Sequence, residues 1–112
     1  MKPSAGVNSV TVRKDLEKRI IELPGVEQRP SRYGHGASYF TGGREIAHFH
    51  GETRMDVRLT KEEIRLRKEE GTLDPRIRTR GPSAEWAEVH VETESDIPFA
   101  VGLVEDAVRS NS

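Results

Sequence analysis

Two adjacent glycines, Gly42-Gly43, separate the strand-like runs "ASYFT" and "REIAHFH", and this feature narrows the possible folds most. Both tolerate positive φ, as a two-residue hairpin turn demands of its central positions. Thr41 then pairs with Arg44, Phe40 with Glu45, Ser38 with Ala47 and His35 with His50. Directly opposed residues share a face, as do residues two apart. The register therefore predicts His35, Tyr39, Ile46, His48 and His50 on one side, and Phe40, Ala47 and Phe49 on the other. A third run, "MDVRL", alternates Met55, Val57 and Leu59 with Asp56 and Arg58. A three-residue connection pairs His50 with Arg54, Phe49 with Met55 and Ala47 with Val57, leaving Asp56 beside His48. A four-residue connection turns Met55 and Val57 toward the histidines instead. A one-residue slip flips every side chain, so burial decides, and the three-residue loop sorts apolar from polar better.

Helical periodicity surrounds this sheet. Val12, Leu16, Ile20 and Leu23 recur on one face of a segment that Pro24-Gly25 ends. "VEQRPSR" reads as an extended or irregular link into the sheet. "TKEE" after the third strand fits a capping box, with Thr60 as N-cap, Glu63 reaching back and Gly71 closing the helix. "TLDPRIRTRGPSAE" is loop-like, with a short extended piece around Ile77. "WAEVHVE" alternates again, placing Ala87, Val89 and Val91 inward and Trp86, Glu88 and His90 outward. The last helix begins near Ser95 or Asp96 and carries Phe99, Leu103, Val104, Ala107 and Val108. The expected fold is α+β: one small domain over residues 10–109 behind an N-terminal arm of residues 1–9. Its order is α-β-β-β-α-β-α, with about four mainly antiparallel strands and helices on one face.

Composition excludes several chemistries. The 112 residues contain no cysteine, which removes disulfides, thiolate catalysis and thiolate zinc sites. Any metal needs His, Asp or Glu ligands. A net charge of −1 gives no overall pull toward nucleic acid or anionic membrane. No apolar run reaches the roughly 20 residues of a membrane span, and no hydrophobic leader opens the chain. A soluble, cytoplasmic protein is the expectation.

The stretch "RPSRYGHGASYFTGGREIAHFHGETRMDVRLTKEEI", with "WAEVHV" and the terminal helix, resembles the luciferase-domain family of small prokaryotic and fungal proteins. Its Arg-Pro-X-Arg-Tyr-Gly opening, the Gly-Arg-Glu turn into His-X-His, the following Asp and the Trp-bearing strand carry the likeness over about Leu16 to Val108. A Trp-adjacent Ser-Gly common in that family stands here as "SAEW", Ser83 to Trp86. The family label implies light emission, yet the sequence holds no flavin or nucleotide motif. The element order and "LPGVE" also resemble MmcQ/YjbR-type double-wing proteins, in topology alone.

The histidine face offers the chemistry. His-X-His on a strand aims two imidazoles at one point, and His35 across the hairpin supplies a third zinc ligand, with Asp56 as a fourth or as the orienter of His48. The plainer reading is a set of half-exposed histidines bonded to their neighbours. Acid–base catalysis needs further parts, and Ser38 points to the opposite face in this register, so no Ser–His–Asp triad assembles. Arg44, Arg54 and Arg58, with Tyr39, His48 and Trp86, make a pocket for a small anionic or aromatic ligand. A solvated charged face is the plain alternative. Stacking rings with arginines also suit nucleic acid, which Arg76, Arg78 and Arg80 extend and the nearby glutamates oppose. Three readings stand open: a small-ligand-binding module centred on His35, His48, His50 and Asp56, a His-based, metal-dependent enzyme, and a nucleic-acid or protein interaction module.

Overall fold

The Gly42-Gly43 turn forms as a hairpin with φ of 56° and 81° at its two glycines. It joins β2 (Ala37–Thr41) to β3 (Arg44–His50) in a computed structural model that describes residues 9–30, 37–51, 53–81 and 83–111. The expected arm falls largely on residues 1–8, and His35 with Arg32 on residues 31–36; these lie outside the described residues. The remaining elements are α1 (Ser9–Ile21), β1 (Glu27–Pro30), β4 (Arg54–Arg58), α2 (Lys61–Glu70), β5 (Trp86–His90) and α3 (Ile97–Ser110). The strands form one antiparallel sheet in the order β1-β2-β3-β4-β5, with the helices on one face. The molecule is a single small α+β domain.

The expected link Glu27–Pro30 is a fifth strand, paired with β2 from Glu27–Phe40 to Pro30–Ala37. All four of its residues are exposed, so no apolar alternation marked it. Its hydrogen bonds to β2 make it a strand, and proline is tolerated there because the strand lies at the sheet edge.

The hairpin register holds only near the turn. Thr41 pairs with Arg44 and Phe40 with Glu45, but beyond a bulge Tyr39 meets Ala47 and Ser38 meets His48. Ile46 is the extra residue, and a bulge lets it and Ala47 both turn to the core, where each is fully buried. The shift reverses the assignments of β2. Tyr39, expected among the histidines, is fully buried in the core cluster, while Ser38 lies on the histidine face. Phe40, expected in the core, is only half-buried.

The three-residue connection forms as expected: His50 pairs with Arg54, Phe49 with Met55, His48 with Asp56 and Ala47 with Val57. β5 continues the order, pairing Val89 with Met55, Glu88 with Asp56 and Trp86 with Arg58. Arg78 and Glu88 exchange two backbone hydrogen bonds of 2.9 and 2.8 Å beside β5, and Ile77 is buried there. Val12, Leu16 and Ile20 of α1, and Ala100, Leu103, Val104 and Ala107 of α3, complete the core over Phe49, Val57 and Val89.

Thr60 caps α2 by accepting from the Glu63 amide at 3.3 Å, and Gly71 ends it in the left-handed conformation with φ of 70°. Glu63 does not reach back as the capping box supposes. Its carboxylate pairs with Arg67 at 2.7 Å, and Arg67 bridges onward to Asp106 of α3 at 2.8 Å.

Candidate functional site

Strand alternation turns His48 and His50 of β3, Arg54, Asp56 and Arg58 of β4, and Trp86 and Glu88 of β5 away from the helices. Asp56 is their centre. His48 Nε2 and His50 Nε2 each lie 3.3 Å from Asp56 Oδ2, while Arg54 Nε donates to Oδ1 at 3.1 Å. Arg54 also pairs with Glu88 at 3.2 Å, and His48 Nδ1 faces Glu45 at 3.6 Å. The His48 ring lies 5.0 Å from that of His50 and 4.9 Å from that of Trp86, centre to centre.

His48 and Asp56 are 9% and 8% exposed, so their interactions are shielded from water. Burial by itself would raise the Asp56 carboxyl pKa. Hydrogen bonds from His48 and Arg54, with their charges, outweigh burial and hold it below the usual carboxylate range. The carboxylate is thus an anion at neutral pH.

His48, His50 and Asp56 form a cluster able to hold a metal ion, each offering a ligand atom within 4.8 Å of the others. A tetrahedral zinc ion with bonds of about 2.0–2.1 Å holds its ligand atoms about 3.3–3.4 Å apart. The two histidine–carboxylate spacings match that edge. They are long for charge-assisted hydrogen bonds, which run at about 2.7–2.9 Å. The Arg54 guanidinium works against a cation here, and Glu45 and Glu88 offset its charge.

Two cavities occupy this face. The smaller, about 340 Å³, is lined by the metal-type cluster with Arg54, Arg80, Trp86 and Glu88. The larger, about 520 Å³, is lined by Arg29, Ser38, Phe40, Arg44, Glu45 and Arg58, among others. Arg44 stands exposed at the hairpin end and lines the larger cavity. Arg58 lies 5.7 Å from the Trp86 ring centre and pairs with Glu85 at 2.9 Å. Arg76, offered above as an extension of a nucleic-acid surface, is held by Asp74 at 3.0 Å and covers the Phe99 ring of α3.

The register read from the sequence missed Ser38, and Glu45 and Phe40 as cavity walls. The adjacent apolar pair Ile46-Ala47 in an otherwise alternating strand is the signal that marks the bulge and would have placed all three.

The family model described as the Luciferase domain matches residues 43–107, from the hairpin turn through most of α3. No curated protein and no solved structure matches the chain.

Proposed function

The chain belongs to the luciferase-domain family, and within that frame we propose that it is a small-ligand-binding module whose ligand is held on the open sheet face through a divalent metal at His48, His50 and Asp56. The observation that carries this reading is the convergence of two imidazole Nε2 atoms on one carboxylate oxygen, each at 3.3 Å. His35, from the segment before β2, is a candidate further ligand. Trp86 and Arg58 flank the cluster and offer a ring and a guanidinium to an anionic or aromatic ligand. Tyr39 has no part in this proposal, because it lies in the core. Among the described residues, no helix is long and apolar enough to cross a membrane.

An enzymatic role is the second reading, and one observation favours it: Ser38 lies directly opposite His48, which faces Asp56. Its Oγ, however, makes no hydrogen bond to His48 or to any other described residue, whereas an activated nucleophile lies within hydrogen-bond reach of its base. Binding is the stronger reading.

Zinc titration tests it. Imidazoles ligate only when neutral, so zinc is expected to stabilise the protein at about pH 7.5 and to lose that effect near about pH 5. Calorimetry should give a stoichiometry of one ion per chain, and the double change His48→Ala plus His50→Ala should abolish the heat. A zinc response that survives both substitutions places the ion elsewhere and defeats the proposal.

A further inference from the structure

We propose that the larger cavity is an oxyanion subsite, taking the phosphate or carboxylate of a small molecule through Ser38, Arg44 and Arg58. This rests on the reading of the open face as a ligand surface, and it adds the chemical class of the ligand.

The support begins with unmet donors. Ser38 is 2% exposed and lines the cavity, yet its Oγ has no hydrogen-bond partner among the described residues. Arg58 Nε is buried in the same condition, although the guanidinium's other end reaches Glu85. A buried polar group left unsatisfied is costly, and folded proteins retain few of them. Two such donors line one cavity. An acceptor-rich ligand meets both; a cation could take the Ser38 oxygen but leaves the Arg58 N–H unmet.

Charge selects the same class. Arg29, Arg44 and Arg58 line the cavity against a single carboxylate, Glu45. Arg29 is already held by Glu27 at 2.6 Å and lies over the Phe40 ring, so it supplies wall and field. Arg44 is exposed and carries no ion pair among the described residues. Guanidinium forks match the geometry of carboxylate and phosphate, which makes Arg44 and Arg58 the direct readers. Glu27, Glu45 and Glu85 interrupt any continuous basic track, which favours a compact ligand over a polynucleotide.

The subsite adjoins the metal-type cluster. Glu45 lines the larger cavity and faces His48, while Arg58 covers Trp86 of the smaller one. A molecule anchored by its oxyanion at Ser38 therefore extends toward His48 and His50. The combined space suits a metabolite-sized ligand.

Inorganic phosphate is the probe, titrated into the full chain at low ionic strength without zinc. Phosphate is expected to raise the melting temperature of the parent protein. Ser38→Ala and Arg44→Gln should each weaken phosphate binding by about tenfold, a change of about 1.4 kcal/mol. Ser38→Ala should leave the melting temperature of the phosphate-free protein unchanged or higher, since it removes an unmet hydroxyl. The His48→Ala, His50→Ala double variant should still bind phosphate, because neither histidine lines the larger cavity. That arm separates this proposal from the metal reading. The proposal falls if phosphate leaves the parent unshifted, if both variants bind it as the parent does, or if Ser38→Ala destabilises the free protein. Salt-sensitive binding of a single-stranded oligonucleotide without any phosphate response would overturn it in favour of a nucleic-acid surface.

Discussion

Tyr39 and Phe49 show how differently two buried aromatic residues contribute. Their rings meet edge to face with centres 6.3 Å apart, and both are almost wholly buried under α1. Phe49 is apolar throughout and also carries the Arg13 guanidinium 4.4 Å above its ring. Phe49→Ala should therefore destabilise the protein by about 3–5 kcal/mol in chemical denaturation. Tyr39 brings a hydroxyl into the same core, and Oη has no hydrogen-bond partner among the described residues. Burial, and then the Glu17 charge, push its pKa up against the opposing pull of Arg13. Tyr39→Phe keeps the ring and removes the orphan, so it should be neutral or stabilising. A loss above about 1 kcal/mol in Tyr39→Phe would reveal a hydrogen bond to that hydroxyl and count against the orphan assignment.

Among the elements, the turn into α3 depends on a single carboxylate. The 3₁₀ turn Glu94–Asp96 precedes the helix, and Asp96 Oδ2 accepts from the Glu92 and Thr93 amides at 3.0 and 3.1 Å. Burial would raise the Asp96 pKa, but these amides, the Thr93 hydroxyl and the Arg76 charge together lower it below 3.8. With the folded pKa depressed, its stabilisation is complete above the unfolded value and is lost as pH falls through the folded one. Asp96→Ala should cost about 0.5–2 kcal/mol near neutral pH, with the difference from the parent shrinking below about pH 4. A pH-independent difference between the two unfolding curves would assign the loss to packing instead. The elements also differ in how readable they are from sequence. The β3–β4 register was legible because only one loop length buries Met55 and Val57 while leaving Asp56 with His48. The stripe of α1 was legible because Val12, Leu16 and Ile20 repeat at helical spacing. β1 was not, since "EQRP" has no buried face and owes its form to pairing with β2. The bulge is not legible from the turn, because a two-residue turn sets a residue-by-residue register, whereas Ile46 adds one residue on one strand only. That single insertion carried Tyr39 out of the expected site and Ser38 into it. His48, His50 and Asp56 survived because they lie on the β3–β4 pair, beyond the bulge's reach.

At the scale of the molecule, the sheet has two unlike faces. Phe49, Met55, Val57 and Val89 face α1 and α3, whereas His48, Asp56 and Glu88, their neighbours along the strands, face the cavities. Burial on the helix side maintains the fold, and the other side is left to assemble charges that contribute little to folding on their own. Leu103 of α3 is buried in the core across the sheet from the cluster. Leu103→Ala should remove about 2–5 kcal/mol of stability through the cavity it leaves. The zinc increment should nevertheless persist. A ligand that binds only the native state adds about 2.7 kcal/mol at a hundred times its dissociation constant, whatever the stability of the apo-protein. Parent and Leu103→Ala proteins should therefore gain equal unfolding free energy from zinc, to within about 0.5 kcal/mol, the additivity expected of separated sites. The His48→Ala, His50→Ala variant should gain none, in either background. Denaturation with and without zinc in all four proteins measures this directly. Loss of the increment in Leu103→Ala alone would mean that helix packing sets the spacing of the imidazoles, and that the two faces of the sheet act as one unit.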